Sequence, residues 1–130
     1  MNLTVGNFNW VLSSNFKKSF LLKISPDLDE SSINNIVDLS LKNNINGIIL
    51  TNTSDKNRDK LIDNQKNEKG GLSGQPLKDL STKIIKKFYK KLNGKIPIIG
   101  VGGVDSGNAA FEKIAAGASA IQLYTGMIYK

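Results

Sequence analysis

The residues able to do chemistry stand at the ends of apolar runs. Lys23 interrupts Phe20-Leu21-Leu22-Lys23-Ile24-Ser25, Thr51-Asn52-Thr53-Ser54 follows Ile48-Ile49-Leu50, and Gly102-Gly103 closes Ile96-Pro97-Ile98-Ile99-Gly100-Val101. Tyr124-Thr125-Gly126 ends a fourth run over residues 118–123, and Gly70-Gly71-Leu72-Ser73-Gly74 precedes a helical pattern. A lysine inside an apolar run is costly to bury unless an anion meets it, and costs little on an exposed sheet edge; the pattern admits both. Small polar residues after a strand can offer hydroxyl and amide groups to a ligand, although on their own they read as an ordinary turn. A strand, paired glycines and a helix start gather backbone N–H groups with no side chains in the way, which makes either a cradle for a phosphate or plain turn chemistry. The glycines of 70–74 let backbone approach a ligand closely; a flexible linker is the alternative, and Leu72 together with the new element after Pro76 argues for a loop that orders on something.

Each of these groups needs an element to hold it. Residues 20–25 read as a buried strand ended by Pro26 and Asp27. Asp27 or Asp29 then caps a helix in which Ile33, Ile36, Val37 and Leu41 recur at helical spacing as far as Lys42. Ile48-Ile49-Leu50 is the next buried strand, and residues 55–69, charged and poor in apolar side chains, have the pattern of a mobile loop. A lysine-rich helix covers 78–92, and a further helix over 108–116 puts Ala110, Phe111, Ile114 and Ala115 on one face, with Gly117 at its left-handed end. Residues 1–19 show no clear period, Trp10-Val11-Leu12 being their apolar cluster, and are expected to be irregular.

Every strand therefore reads as buried, and every polar exit lies at a strand's C-terminal end. Alternating units of this kind build a parallel sheet with right-handed crossovers, and ligand groups gather at the carboxyl ends of its strands. Two architectures fit, a small open α/β sheet or part of an eight-stranded barrel. In barrels a phosphate commonly sits in the loops after the last two strands, here Gly102-Gly103 and Tyr124-Thr125-Gly126. A complete barrel takes about 250 residues, so this chain corresponds to its second half.

Composition narrows the chemistry. The 130 residues contain neither cysteine nor histidine, which excludes disulfides, thiolate or histidine zinc sites and histidine acid–base catalysis. No apolar run approaches the ~20 residues that span a bilayer, and the first residues lack the order of a signal peptide, so the chain itself is expected to be soluble. The formal charge of +7 invites a nucleic-acid reading. Lys83, Lys86, Lys87, Lys90 and Lys91, however, share a helix with Ile84, Ile85, Phe88 and Leu92, and neither arginine clustering nor stacking aromatics accompany them or the Lys17-Lys18 pair. They read as a solvated face, and nucleic acid is not expected as a partner.

Five blocks carry a resemblance to a known family. Lys23-Ile24-Ser25-Pro26-Asp27-Leu28, Thr51-Asn52-Thr53-Ser54, Gly70-Gly71-Leu72-Ser73-Gly74-Gln75-Pro76-Leu77, Pro97-Ile98-Ile99-Gly100-Val101-Gly102-Gly103 and Glu112-Lys113-Ile114-Ala115-Ala116-Gly117-Ala118-Ser119 resemble successive blocks of dihydroorotate dehydrogenase, the first two most closely its quinone-dependent, membrane-associated class. The resemblance implies α/β architecture, the C-terminal half of a TIM (β/α)8 barrel with about four parallel strands and crossover helices. Residues 20–130 would be a partial flavin-binding domain that uses FMN to oxidise dihydroorotate to orotate in pyrimidine biosynthesis. By resemblance Lys23 contacts the flavin ring, Thr51 and Gly74 are further flavin contacts, and Gly103, Tyr124 and Thr125 hold the flavin phosphate through backbone groups. Asn52 and Thr53 match groups that bind the pyrimidine. In the intact enzyme a peripheral position on the cytoplasmic side of a membrane and reoxidation by a quinone are implied.

The departures are equally specific. The family's catalytic base is a serine or cysteine in a block rich in Asn, Ser and Pro, and nothing here resembles that block; Ser13 and Ser14 lack its neighbours. The expected catalytic set in this chain is therefore empty, no metal ligand is expected, and proton abstraction and quinone access need residues outside it. Two other readings follow from the same residues, a related FMN barrel oxidoreductase with another substrate and a non-catalytic half-barrel module that binds phosphate and pairs with the missing barrel half. Such a half exposes two sheet edges and an apolar face, which makes association physically expected.

Overall fold

The computed structural model describes residues 19–129 apart from Asn57, Lys60 and Gln65. The expected irregular segment, with Trp10-Val11-Leu12, Ser13, Ser14 and the Lys17-Lys18 pair, lies outside the described residues except for Ser19, as does Lys130. Along the described chain run β1 (Leu21–Ile24), α1 (Glu30–Lys42), β2 (Gly47–Leu50), a 3-10 turn (Gln75–Leu77) leading into α2 (Lys78–Leu92), β3 (Ile98–Gly100), α3 (Gly107–Ala115), β4 (Ala120–Ile121) and α4 (Thr125–Ile128).

Helix starts are set by short polar side chains. Of the two candidates for α1, Asp29 is the cap: its carboxylate accepts the Ser32 N–H at 2.8 Å. Hydrogen bonding from Ser32 holds that carboxyl below its ordinary value. Ser106 does the same for α3, accepting the Ala109 N–H at 3.2 Å. Asn93, left-handed at φ 48°, closes α2.

All described strand pairs are parallel and the order is β1-β2-β3-β4. Each strand lies beside its predecessor, with Lys23, Ile49, Ile99 and Ala120 in one cross-strand row and Ile24, Leu50, Gly100 and Ile121 in the next. Helix α1 packs on α2 and α2 on α3, so the helices form one layer on one face. A doubly wound sheet reverses strand order and places helices on both faces. This sheet does neither, and between the two architectures the sequence admitted it has the barrel arrangement.

The helix face of the sheet carries the core. Ile24, Ile48, Leu50 and Ile98 meet Ile33, Val37, Ile84, Ile85, Phe88 and Leu92, all buried. Complete burial of such a side chain contributes roughly 1.5–3 kcal/mol. On α2 the lysines from Lys83 to Lys91 are exposed, and Lys87 and Lys91 both pair with Glu30 of α1, at 2.8 and 3.0 Å.

Three expectations need correction. Burial is complete only in the middle of the sheet: Leu21 and Lys23 of β1 and Ala120 of β4 are exposed, because among the described residues these strands have a neighbour on one side only. Strand β4 covers two residues instead of the six expected, since the chain turns after Ile121 into α4. On α3 the buried positions are Ala109 and Lys113, whereas Phe111 is 70% and Ile114 45% exposed. The slim stem of Lys113 fits the seam beside Gly100, where a Cβ would already lie 3.3 Å from that of Lys113. The segment 55–69 is a loop, as expected, but it is drawn together by the Arg58 guanidinium, which donates to the carbonyls of Lys66 and Glu68 at 3.0 Å and to that of Gly70.

Candidate functional site

The polar exits converge because the sheet register makes them neighbours. At the end of β2 the Thr51 N–H donates to the Val101 carbonyl at 3.0 Å, and the Asn52 N–H donates to the Ile24 carbonyl at 2.7 Å. These bonds continue the ladders of β2 with β3 and β1, so Thr51-Asn52-Thr53 stands between the two neighbouring exits. Asp27, once released from the capping role, holds this turn from below. Its carboxylate accepts the Ser54 hydroxyl at 2.7 Å and the Asp55 N–H at 2.8 Å.

The glycine-rich loop is ordered by backbone pairing. Ser54 and Leu72 exchange hydrogen bonds at 3.0 and 2.7 Å, an antiparallel bridge that lays 70–74 against the β2 exit. The Thr53 side chain covers Gly71 so closely that a Cβ there would fall 2.0 Å from its hydroxyl. At the far end of the loop Gly74 has φ 75°, and the Thr125 hydroxyl donates to Ser73 Oγ at 3.2 Å, joining the loop to the start of α4.

The turn after β3 is pressed onto α2. Gly103 has φ 67°, and a Cβ on it would lie 2.6 Å from the backbone N and Cα of Lys78. A side chain is therefore excluded by conformation and by space together. The Ser81 hydroxyl, from the first turn of α2, donates to the Val101 carbonyl and fixes the other end of the same turn.

These pieces enclose a cleft of about 540 Å³ at the C-terminal ends of the strands. Lys23, Thr51, Asn52, Thr53, Gly74, Gly103, Tyr124 and Thr125 all line it. Every site residue singled out in the sequence is thus brought into one space. Lys23 has both properties that the sequence offered as alternatives, since it lies on the edge strand β1 and also faces the cleft. Its ammonium and the Asp105 carboxylate, which accepts the Ser106 hydroxyl at 3.1 Å, are the charges of the lining. The Thr51 hydroxyl is buried and has no hydrogen-bond partner among the described residues. A buried hydroxyl without a partner costs about 1–3 kcal/mol, a property that Thr51 shares with Ser40 of α1, which is not among the cleft residues.

Gln75, Gln122 and Ser73 also line the cleft and were not singled out, nor was Lys113. Lys113 is fully buried, and its ammonium donates to the Lys78 carbonyl at 3.3 Å, to Ser81 Oγ at 3.1 Å and to Thr82 Oγ1 at 3.2 Å. Its signal in the sequence is the spacing with Ala109 and Ala116, which marks the buried face of α3 once the bulk of Phe111 is set aside. No cluster of three acidic, histidine or cysteine side chains able to hold a metal occurs among the described residues.

A singly wound parallel sheet with one helix layer and a polar, glycine-lined cleft at its strand ends defines a (β/α)-barrel protein with its site at the C-terminal mouth. Comparison with known proteins then specifies the family. The family profile described as Dihydroorotate dehydrogenase matches residues 6–130, and the chain belongs to this family. Curated relatives named dihydroorotate dehydrogenase (quinone) include one from Aeromonas hydrophila, 48% identical over 122 residues that cover 92% of this chain and 36% of the relative. Another, from Wigglesworthia glossinidia brevipalpis, is 54% identical over 110 residues, 84% of this chain and 32% of the relative. The crystal structure of ligand-free DHODH from Eimeria tenella superposes with a TM-score of 0.81 at 44% identity, covering 84% of this chain and 30% of that one. The chain spans about a third of the length of the relatives it matches.

The residues present fit a flavin nucleotide. The cleft volume lies within the range of small-molecule and cofactor sites, its floor is made of glycine turns, and it holds an unpartnered hydroxyl and a lysine.

Proposed function

We propose that residues 20–130 form part of a flavin-binding barrel in a quinone-type dihydroorotate dehydrogenase, and that the cleft binds FMN and part of dihydroorotate or orotate. The observation that carries this reading is the meeting of eight residues, from β1, the exits of β2, β3 and β4 and the glycine-rich loop, in one cleft. Gly103, Tyr124 and Thr125 would hold the phosphate through backbone groups, and Lys23, Thr51 and Gly74 would meet the rest of the cofactor. When bound, FMN supplies an acceptor for the hydride removed from the substrate. Lys23 contributes a fixed positive charge beside that acceptor, which favours its electron-rich form. Asn52 and Thr53 offer an amide and a hydroxyl, donors and acceptors suited to a planar pyrimidine carboxylate.

Proton abstraction is assigned to a base outside these residues, as is the route for quinone, and the remaining barrel strands come from the same polypeptide or from a partner chain. Association of the intact protein with a membrane surface belongs to the same proposal; no described helix is long and apolar enough to cross a membrane.

The test uses the full native polypeptide that carries these residues. Lys23→Ala is expected to slow flavin reduction by dihydroorotate at least about tenfold with little change in Tm, because an exposed edge lysine contributes little to stability. Unchanged reduction in stopped-flow traces overturns the assignment of Lys23. Orotate is expected to perturb the flavin absorption band, and Asn52→Ala to weaken that effect. A flavin band that ignores orotate would favour a flavin barrel with another substrate.

A further inference from the structure

We propose that Lys113 and Ser81 act as a positioning pair that fixes the Val101-Gly102-Gly103 turn for the phosphate of the cofactor, a role that rests on the reading of the cleft given above. Lys113 donates to three neutral acceptors, all from the first turns of α2, and has no carboxylate hydrogen-bond partner among the described residues; the adjacent Glu112 pairs with Lys78 instead, at 3.0 Å. Ser81 Oγ accepts from Lys113, and its hydroxyl donates to the Val101 carbonyl. The turn rests on the same residues: a Cβ at Gly102 would lie 3.2 Å from Ser81 Cβ, and one at Gly103 would meet the Lys78 backbone. The ammonium thus grips the part of α2 against which the turn is seated.

Mere adhesion of α3 to α2 does not call for a charge. An apolar side chain of similar volume generally serves a buried seam as well or better than an ion lacking a counter-ion. A buried cation behind an anion-binding turn does have a use there, since it locks the turn's carbonyl away from the ligand and adds positive potential. The charged groups around it are Glu112 on α3, Lys78 and Asp79 on α2, and Asp105, which faces Lys78 from the turn. Burial pushes the ammonium down to about 8; Lys78 acts in the same direction, and Glu112 and Asp79 oppose it. Loss of its proton leaves two N–H donors for three acceptors.

The experiment measures FMN and riboflavin dissociation constants by flavin fluorescence in the full native polypeptide, for wild type, Lys113→Met, Ser81→Ala and Gly103→Ala. Riboflavin lacks the phosphate and reports the rest of the site. Lys113→Met is expected to weaken FMN at least about tenfold and riboflavin less than about twofold, and Ser81→Ala to act in the same direction more weakly. Wild-type FMN affinity is expected to fall as pH rises past about 8, with riboflavin affinity flat and the FMN dependence lost in Lys113→Met. Should Lys113→Met fail to fold, Ser81→Ala and the wild-type pH profile decide. Equal losses for both ligands, or FMN binding that ignores pH and Ser81, overturn the proposal. If Gly103→Ala weakens FMN and Lys113→Met does not, the positioning role fails while the cleft keeps its reading. A wild type that does not prefer FMN to riboflavin removes both.

Discussion

The two ends of the strands β2 and β3 differ in what they ask of their side chains. Along their length, on the helix face, Ile48, Leu50 and Ile98 are at most 1% exposed and meet only apolar partners. One to three residues further on, past Leu50 and Gly100, the chain carries a buried hydroxyl without a partner, a glycine turn too tight for a Cβ, and polar and apolar groups around open space. The strands of the first region are saturated by apolar packing, and the unpartnered hydroxyl on that side, Ser40 Oγ, belongs to α1. The second region sets its unpartnered hydroxyl in a residue that lines open space. Local consistency marks the part of a protein that stabilises the fold, and local inconsistency marks the part that awaits a ligand.

The contrast predicts opposite signs for substitutions in the two regions. The largest effect belongs to Phe88→Ala, which empties the centre of the saturated side; Phe88 is fully buried against the sheet. It is expected to lower stability by about 3–5 kcal/mol in urea titration of the full native polypeptide. Ile99 lies on the opposite face of the sheet, half-buried here, and the remaining strands of a barrel would cover it in the full polypeptide, so Ile99→Ala is expected to cost about 2–5 kcal/mol there. A loss below about 1 kcal/mol would mean that this face stays open in the full polypeptide, against a closed barrel.

Most of the saturated region was legible in the sequence. Helix α2 was expected over 78–92 and is found at Lys78–Leu92, since Ile84, Ile85, Phe88 and Leu92 leave one dry stripe among lysines. Strands β2 and β3 were marked by apolar runs between turn residues. Less was legible wherever a residue answers to more than its own element. Lys113 reads as a surface lysine until the first turns of α2 supply it with three acceptors. Phe111 reads as core, yet the buried face of α3 is set by Ala109 and Lys113, the latter in the tight seam beside Gly100. Asp27 and Asp29 could not be separated by capping preference, and the distant Ser54 and Asp55 decide between them. At the cleft the residue types were legible, and so was their gathering at the strand ends, but which exits are neighbours was not. Parallel register brings Thr51 beside Val101 and Asn52 beside Ile24, information that lies in pairing between strands far apart in the chain.

On the unsaturated side, Thr51→Val is the sharpest substitution. Valine keeps the shape of threonine and removes the orphaned hydroxyl. The apoprotein is expected to gain about 1 kcal/mol, because an unmet desolvation penalty disappears, while FMN binding weakens. A stabilised apoprotein with unchanged FMN affinity would show that the hydroxyl faces no ligand. A destabilised apoprotein would show that it already has a partner and that the two regions differ less than claimed.

The smallest effect tests whether surface charge belongs to either region. Glu30 is held below its ordinary carboxylate value mainly by the Lys87 hydrogen bond and then by Lys91, at 2.8 and 3.0 Å on the exposed side of α1 and α2. A depressed folded value means that the unfolded chain takes up the proton first as pH falls. The contribution is therefore fully present above the unfolded value and lost as pH drops through the folded one. Wild-type Tm is expected to fall slightly more than that of Glu30→Gln as pH drops below the ordinary carboxylate value, and added salt to shrink the difference, since exposed pairs are screened. FMN affinity is expected to be the same in both, because Glu30 is not among the residues that line the cleft. A Glu30→Gln variant that changed FMN affinity would mean that the α1–α2 surface communicates with the strand ends, and the separation of a saturated scaffold from an unsaturated mouth would have to be redrawn around α2, the one helix that touches both.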